Sequence, residues 1–247
     1  MALQEELEKE GNWLFKYRSY LPIALLVVGL GAYVVKTVCG GQEVVGHWNI
    51  YEYVCLAVSL LGLAVRIVTV GHTPAGTSGR NTEGQVADCL NTTGIYSLVR
   101  NPLYLGNFLM YLGIAMLTMS AWFVMAFMLL YWLYYERIIF AEEQFLHRKF
   151  GTDYLTWAAR TPAFFPRITH FVPSKLPFSW KKVLKKEKNG VFALFLVFCI
   201  FDVTGKWAGG TQDYNIFLAS MAVATGMGYL ILKIIKKHTN LLDEEGR

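Results

Sequence analysis

The sequence predicts an all-α integral membrane protein of about six transmembrane helices. A tight helical hairpin joins the third and fourth spans, and amphipathic helices lie on the cytoplasmic side. Three observations predict it. Of 247 residues, 54% are hydrophobic, 15% aromatic and only 17% charged, against roughly 25% charged in an average soluble protein. Apolar runs of about 20 residues, the length that crosses a bilayer, recur at 20–38, 50–70, 103–119, 121–141, 190–208 and 214–235. Lysine and arginine gather in alternate connections, the bias that marks cytoplasmic loops. This composition excludes intrinsic disorder, collagen and a small disulfide scaffold.

With the N-terminus inside, the inside segments hold Lys9, Lys16, Arg18, Arg80, Arg100, the ten basic residues between 142 and 189, and Lys233, Lys236, Lys237 and Arg247. The outer turns hold Lys206, with Lys36 at the outer end of the first span. Six spans with both termini in the cytoplasm are therefore expected, with five spans and one re-entrant helix as the alternative. Glu5, Glu6, Glu8 and Glu10 stand where a cleavable leader would be basic, so none is expected. The net charge of +5 sits beside apolar spans rather than on a soluble surface, which argues against a nucleic-acid partner. Cys39, Cys55, Cys89 and Cys199 form no CxxC pair, and His72, His147 and His170 offer no metal spacing, so no metal is expected.

After the second span comes a polar Gly/Thr/Asn-rich connector, 71–99, long for a loop between spans. Its Gly76–Asn81 stretch has the makings of a phosphate nest. The third and fourth spans are separated by little more than Ser120, which requires an antiparallel hairpin. Residues 142–174 are amphipathic. Residues 175–189 mix Leu176, Phe178, Trp180, Val183 and Leu184 with six lysines, a composition suited to a helix in the headgroup layer or to ordinary positive-inside residues before the fifth span.

Two segments carry chemistry. The first runs from Gly94 through Tyr96, Arg100, Asn101, Pro102 and Tyr104 to Gly106. Asn is a favoured N-cap and Pro a favoured first helical residue, so the third span starts here. Its free N–H groups, with Arg100 beside them, suit an anion. The second segment, Tyr134 to Glu143, ends the fourth span. The two helices are roughly 27 Å and 33 Å long from the turn, so the segments lie at one depth. Glu136 and Glu143 share a helix face, with Glu142 about 100° away. A cationic helix start facing a carboxylate pair suits a zwitterion such as an amino-acid moiety. The Tyr131, Trp132, Tyr134 and Tyr135 cluster reads as an interfacial belt or as a stacking surface for a purine.

These residues resemble the isoprenylcysteine carboxyl methyltransferase and phospholipid methyltransferase superfamily. The resemblance rests on Arg100-Asn101-Pro102, Tyr104, Glu142-Glu143, Phe150-Gly151, Tyr154 and Arg160-Thr161-Pro162, and covers residues 94–166. It implies one membrane domain, 1–247, with three parts. They are N-terminal spans and a polar loop over 1–93, a catalytic core over 94–170, and a basic interfacial segment with two added spans over 171–247. It also implies S-adenosylmethionine as methyl donor and a membrane lipid or lipidated acceptor that enters between helices. Tyr96, Arg100, Asn101, Pro102, Tyr104, Glu142, Glu143 and Tyr154 would bind the donor. Glu143 and Arg160 would act in catalysis, and Arg80 and Arg160 would orient the acceptor. Asn101 stands where the carboxyl methyltransferases carry a histidine, so no acid–base role transfers to it. Two other readings remain at this stage: an NADPH-dependent sterol-type reductase and a non-catalytic membrane scaffold or transporter.

Overall fold

The computed structural model describes residues 2–40, 48–77 and 84–246. Its helices, in order, are α1 (Leu3–Lys16), α2 (Tyr20–Gly40), α3 (Trp48–His72), α4 (Pro102–Met116), α5 (Ala121–Phe150), α6 (Thr152–Ala158), α7 (Trp180–Ala208) and α8 (Ile216–His238). Five of them, α2, α3, α5, α7 and α8, are long and apolar enough to cross a membrane, and α4 is a shorter apolar helix. The protein is a multi-pass, all-helical membrane protein. Among the described residues five helices are long enough to span and one apolar helix is shorter, where the sequence offers six spans or five with one re-entrant helix.

The short helix follows from its flanks. Pro102 opens α4, and Met119 at φ 50° turns the chain before Ser120 caps α5 by accepting from the Phe123 amide. At 15 residues, α4 is about 22 Å long against a hydrocarbon core of about 30 Å. Its final carbonyls lack the usual α-helical donors; the amides of Leu117, Thr118 and Met119 reach back to them, and side chains add to the fastening of this tip and its turn. Tyr51 donates to Met116 O at 3.0 Å, Thr118 Oγ1 to Ala115 O at 2.7 Å, and Lys36 Nζ to Met119 O.

The hairpin forms, but α4 packs most extensively on α3 rather than on α5. Glycines permit this approach. A Cβ at Gly62 would lie 2.5 Å from Gly106 O, and one at Gly113 would lie 2.4 Å from Cys55 O. Small-residue seams of this kind let helix backbones touch within a membrane, where dispersion replaces the hydrophobic effect as the driving force. A core of Leu56, Leu63, Met110, Leu194, Phe198 and Phe201 then ties α3, α4 and α7 together.

One element is added to the sequence expectation, and another decides between its two readings of 175–189. Residues 3–16 form a helix that lies against the end of α5, with a Cβ at Gly11 only 2.1 Å from Arg137 O. Glu10–Arg137 (2.8 Å) and Glu8–Arg148 (2.6 Å) ion pairs flank that contact. The lysine-rich stretch is not a separate interfacial helix. Ser179 caps Trp180–Ala208 as one continuous helix by accepting from the Lys182 amide. Lys182 is buried, with Nζ donating to Thr73 O (2.6 Å), Thr73 Oγ1 (3.0 Å) and Pro74 O (2.9 Å). Three acceptors compensate the ammonium, so the helix runs on instead of breaking at the headgroups.

Candidate functional site

Residues 94–101 are held by α6 and the chain that follows it. Gly94 N donates to Val172 O (2.8 Å), Trp157 Nε1 to Tyr96 O (3.1 Å), Arg167 N to Leu98 O (2.9 Å) and Arg100 N to Pro162 O (2.9 Å). Asn101 occupies the position before α4, but its side chain makes no cap. It donates instead to Ala163 O at 3.0 Å. The helix start is therefore positioned by the 161–163 segment.

Arg100 is the centre of this clamp. Its Nε and Nη2 form a bidentate pair with the Glu143 carboxylate at 2.8 and 3.0 Å. Its Nη1 donates to Ala158 O (2.9 Å) and Thr161 O (3.0 Å). One guanidinium thus locks α5, α6 and the start of α4 to each other. Tyr154 is buried near Glu143, and burial together with that negative charge pushes its phenol pKa up.

Beside the clamp lies a cavity of about 650 Å³, within the range of small-molecule sites. Tyr96, Arg100, Asn101, Pro102, Tyr104 and Glu142 line one end, so the structure gathers six of the residues named from sequence. Burial and the Glu142 charge raise the Tyr96 pKa, keeping that phenol neutral. The opposite end is apolar, with Leu26, Ile114, Phe127, Leu194 and Phe201 among its walls. The cavity is thus amphipathic along its length.

The remaining predicted residues lie elsewhere. Glu143 and Tyr154 stand behind the wall, in the clamp, and Arg160 and Glu136 are exposed. Arg80 and Asn81 lie outside the described residues. The aromatic cluster divides. Tyr131 and Tyr135 stack at 4.1 Å inside the protein, where Tyr135 lines the cavity, and Trp132 faces outward against Phe165. Among the described residues no group of three or more His, Cys, Asp or Glu side chains could hold a metal.

Sequence reasoning missed several lining residues: Arg18, Gln85, Arg66, Asn107, Lys186 and Glu187. Arg66 of α3 makes a bidentate pair with Glu187 of α7 (2.9 and 2.7 Å) and donates to Asn107 Oδ1 (2.6 Å). The signal for Arg66 was present, since an arginine inside an apolar span is a functional candidate by default. Glu187, one acid in a run of lysines, carried no such signal.

The profile of the phospholipid methyltransferase family matches residues 53–153, from within α3 to the start of α6. That interval contains the clamp's Arg100 and Glu143 and the polar wall. Residues 53–153 belong to the phospholipid methyltransferase family. The chain is 32% identical over 142 residues to a nickel-cobalt-cadmium resistance protein of Alcaligenes xylosoxydans xylosoxydans, covering 51% of this chain and 66% of that protein. It is 37% identical over 116 residues to a cobalt-zinc-cadmium resistance protein of Cupriavidus metallidurans, covering 46% and 51%. It is 35% identical over 79 residues to the protein-S-isoprenylcysteine O-methyltransferase of Schizosaccharomyces pombe, covering 32% and 34%. The chain thus spans between about half and two thirds of the first two relatives. No solved structure matches it.

Proposed function

We propose that this protein transfers a methyl group from S-adenosylmethionine to a membrane lipid or lipidated acceptor at the cytoplasmic face. The observation that carries this reading is the amphipathic cavity, whose polar end is built from the methyltransferase-family segment. The donor's parts suit these residues. Glu142 offers a carboxylate to an ammonium or sulfonium, Tyr96 and Tyr104 offer aromatic faces and hydroxyls, and the apolar end accepts an acyl or prenyl chain. Lysine and arginine placement supports the cytoplasmic orientation, because the end of the bundle that holds the site is the basic end.

When bound, the donor supplies a methyl group already activated by a sulfonium. The chain therefore needs to align reactants and keep water out, not to generate a strong acid or base. The Arg100–Glu143 clamp fixes the wall. Tyr135 forms part of that wall, and Tyr131 stacks on it. If the acceptor is an amine, Glu142, at the polar end built from the family segment, would take its proton, while the other lining carboxylate, Glu187, is paired with Arg66. A carboxylate acceptor needs no base. Arg160, exposed beyond the cavity, is assigned no step.

Titration calorimetry of the purified protein with S-adenosylhomocysteine, paired with mass spectrometry of lipid extracts with and without the protein, tests the reading. Expected are micromolar binding and a lipid species heavier by one methylene. Binding of NADPH without S-adenosylhomocysteine would replace the assignment with a reductase, and binding of neither would leave a scaffold.

A further inference from the structure

Between α6 and α7 the chain turns several apolar side chains outward. Phe165 is 72% exposed, Ile168 82% and Phe171 59%. The patch is joined to the spans. Phe165 stacks on Trp132 of α5, with ring centres 6.2 Å apart and planes at 22°, and Phe164 meets the same indole edge-on at 5.6 Å. Met125, Leu129 and Trp132 follow one another on one face of α5 and are all exposed, an apolar stripe on a helix long enough to cross a membrane. Glu136 is the next position on that face and is also exposed. Trp132 therefore lies one helical turn, about 6 Å, to the bilayer side of the first charge. Phe165 continues the stripe at the level where hydrocarbon gives way to headgroups, the level that tryptophan favours.

Charge and backbone agree with that level. No aspartate or glutamate stands between Asp153 and Glu187, while Arg160, Arg167 and Lys175 are exposed among the apolar side chains. Such a mixture suits anionic headgroups over acyl chains. Part of the backbone is already satisfied. Pro166 and Pro173 carry no N–H, Arg167 N donates to Leu98 O (2.9 Å), and Val172 N donates to Ser97 Oγ (2.9 Å). Phe164 is buried in the cluster of Phe127, Tyr131 and Ile138 and pins the segment to the bundle. The stretch just before it reaches the candidate site. The carbonyls of Thr161, Pro162 and Ala163 accept from Arg100 and Asn101.

We propose that residues 164–172 are seated in the bilayer leaflet at the basic end of the bundle. Phe165, Ile168 and Phe171 enter the acyl boundary, and Arg167 and the neighbouring Lys175 meet anionic phosphates. Lipid is the occupant of this patch because the patch is continuous with the stripe that a membrane-spanning helix turns outward. The seating has a consequence for the site. The chain that enters the leaflet is strapped along residues 94–101 and follows directly on the carbonyls that hold Arg100 and Asn101. The bilayer surface thereby becomes part of the Arg100 clamp. This goes beyond the methyl-transfer reading and holds for any chemistry at the site.

Fluorescence quenching in vesicles tests the seating. Bimane is attached to the full chain through Ile168→Cys or Phe171→Cys, in a background of Cys39→Ala, Cys89→Ala and Cys199→Ala. The vesicles contain phosphatidylglycerol and phosphatidylcholine, the latter with or without bromine on its acyl chains. Emission is expected to fall in the brominated vesicles and to resist aqueous iodide. Stronger quenching by iodide than by brominated lipid would put the patch in water, leave it to a protein partner and overturn the proposal. Hydrogen exchange in vesicles tests the link to the clamp. Ile168→Asp alters a side chain that the protein itself barely covers. It should raise exchange over residues 94–101 by about tenfold, the factor equivalent to losing the burial of one branched side chain. Exchange over α3 should hold, and Ile168→Leu should leave both regions unchanged. Unchanged exchange in the aspartate variant, a rise spread equally over α3, or an equal rise with leucine overturns the link. Neither measurement uses a ligand, so both stand apart from the test of methyl transfer.

Discussion

Glu142 and Glu143 are adjacent in sequence, yet they do different work because a helix turns about 100° per residue. Glu142 faces the cavity, and Glu143 faces away into the Arg100 pair, where the two side chains are 22% and 18% exposed. Glu142→Gln, nearly isosteric, should weaken S-adenosylhomocysteine binding by about tenfold and leave the thermal midpoint in place, measured by calorimetry and by differential scanning fluorimetry. Glu143→Gln should do the reverse first. It strips a bidentate partner from a partly buried guanidinium, costing about 1–3 kcal/mol of stability, and weakens binding only as the wall loosens. The residue chemistry of this region was legible in the sequence, since Arg100, Asn101, Pro102, Tyr104 and the twin acids stand out together. Which acid points inward was not. That depends on how α5 is rotated against α4, and the sequence reading favoured Glu143. Arg18 was illegible for another reason. It reaches the site only because α1 folds back on α5, a contact that a single buried glycine makes possible.

At the level of the helix, the seam between α3 and α4 decides where the site's wall stands. Gly106 and Gly113 are seven apart, two turns along one face, and a Cβ at either would fall inside van der Waals contact with α3. Gly62→Ala should lower the thermal midpoint, because the added methyl would meet Gly106 O at 2.5 Å and Met110 N at 2.6 Å. Overpacking of this kind costs about 1–3 kcal/mol. Gly31→Ala is the contrasting case, with nothing within 4 Å of the new methyl. It should leave the midpoint unchanged or raise it, since alanine loses less backbone freedom in a helix. Span existence was readable from apolar length, and the start of α4 from its proline. The partner of α4 was not read, although the glycine spacing was there to be used. The sequence reading paired α4 with α5 on the strength of a short turn, but helices in a bilayer choose neighbours by shape.

Across the whole molecule, α7 links distant parts. It carries Glu187 to Arg66 in the cavity wall, and it carries Lys182 to the carbonyls of Thr73 and Pro74, where the polar connector leaves α3. That connector returns to the cavity through Thr77 and Gly84 to Ala87. Lys182→Met should therefore loosen the connector. Hydrogen exchange is expected to rise over residues 73–77 and 84–90, with weaker S-adenosylhomocysteine binding and little change in exchange over α5. The spans after residue 171, which look like an addition in the sequence, thus supply part of the cavity and hold its roof.

The shortness of α4 has a consequence for the lipid. A rod about 8 Å shorter than a typical hydrocarbon core would draw the nearby leaflet inward, because Tyr51 and Lys36 fasten its tip and the turn beyond it to the protein. Catalytic output should accordingly track acyl-chain length in reconstituted vesicles. It should peak in short-chain bilayers and decline as thicker ones stretch across the dimple.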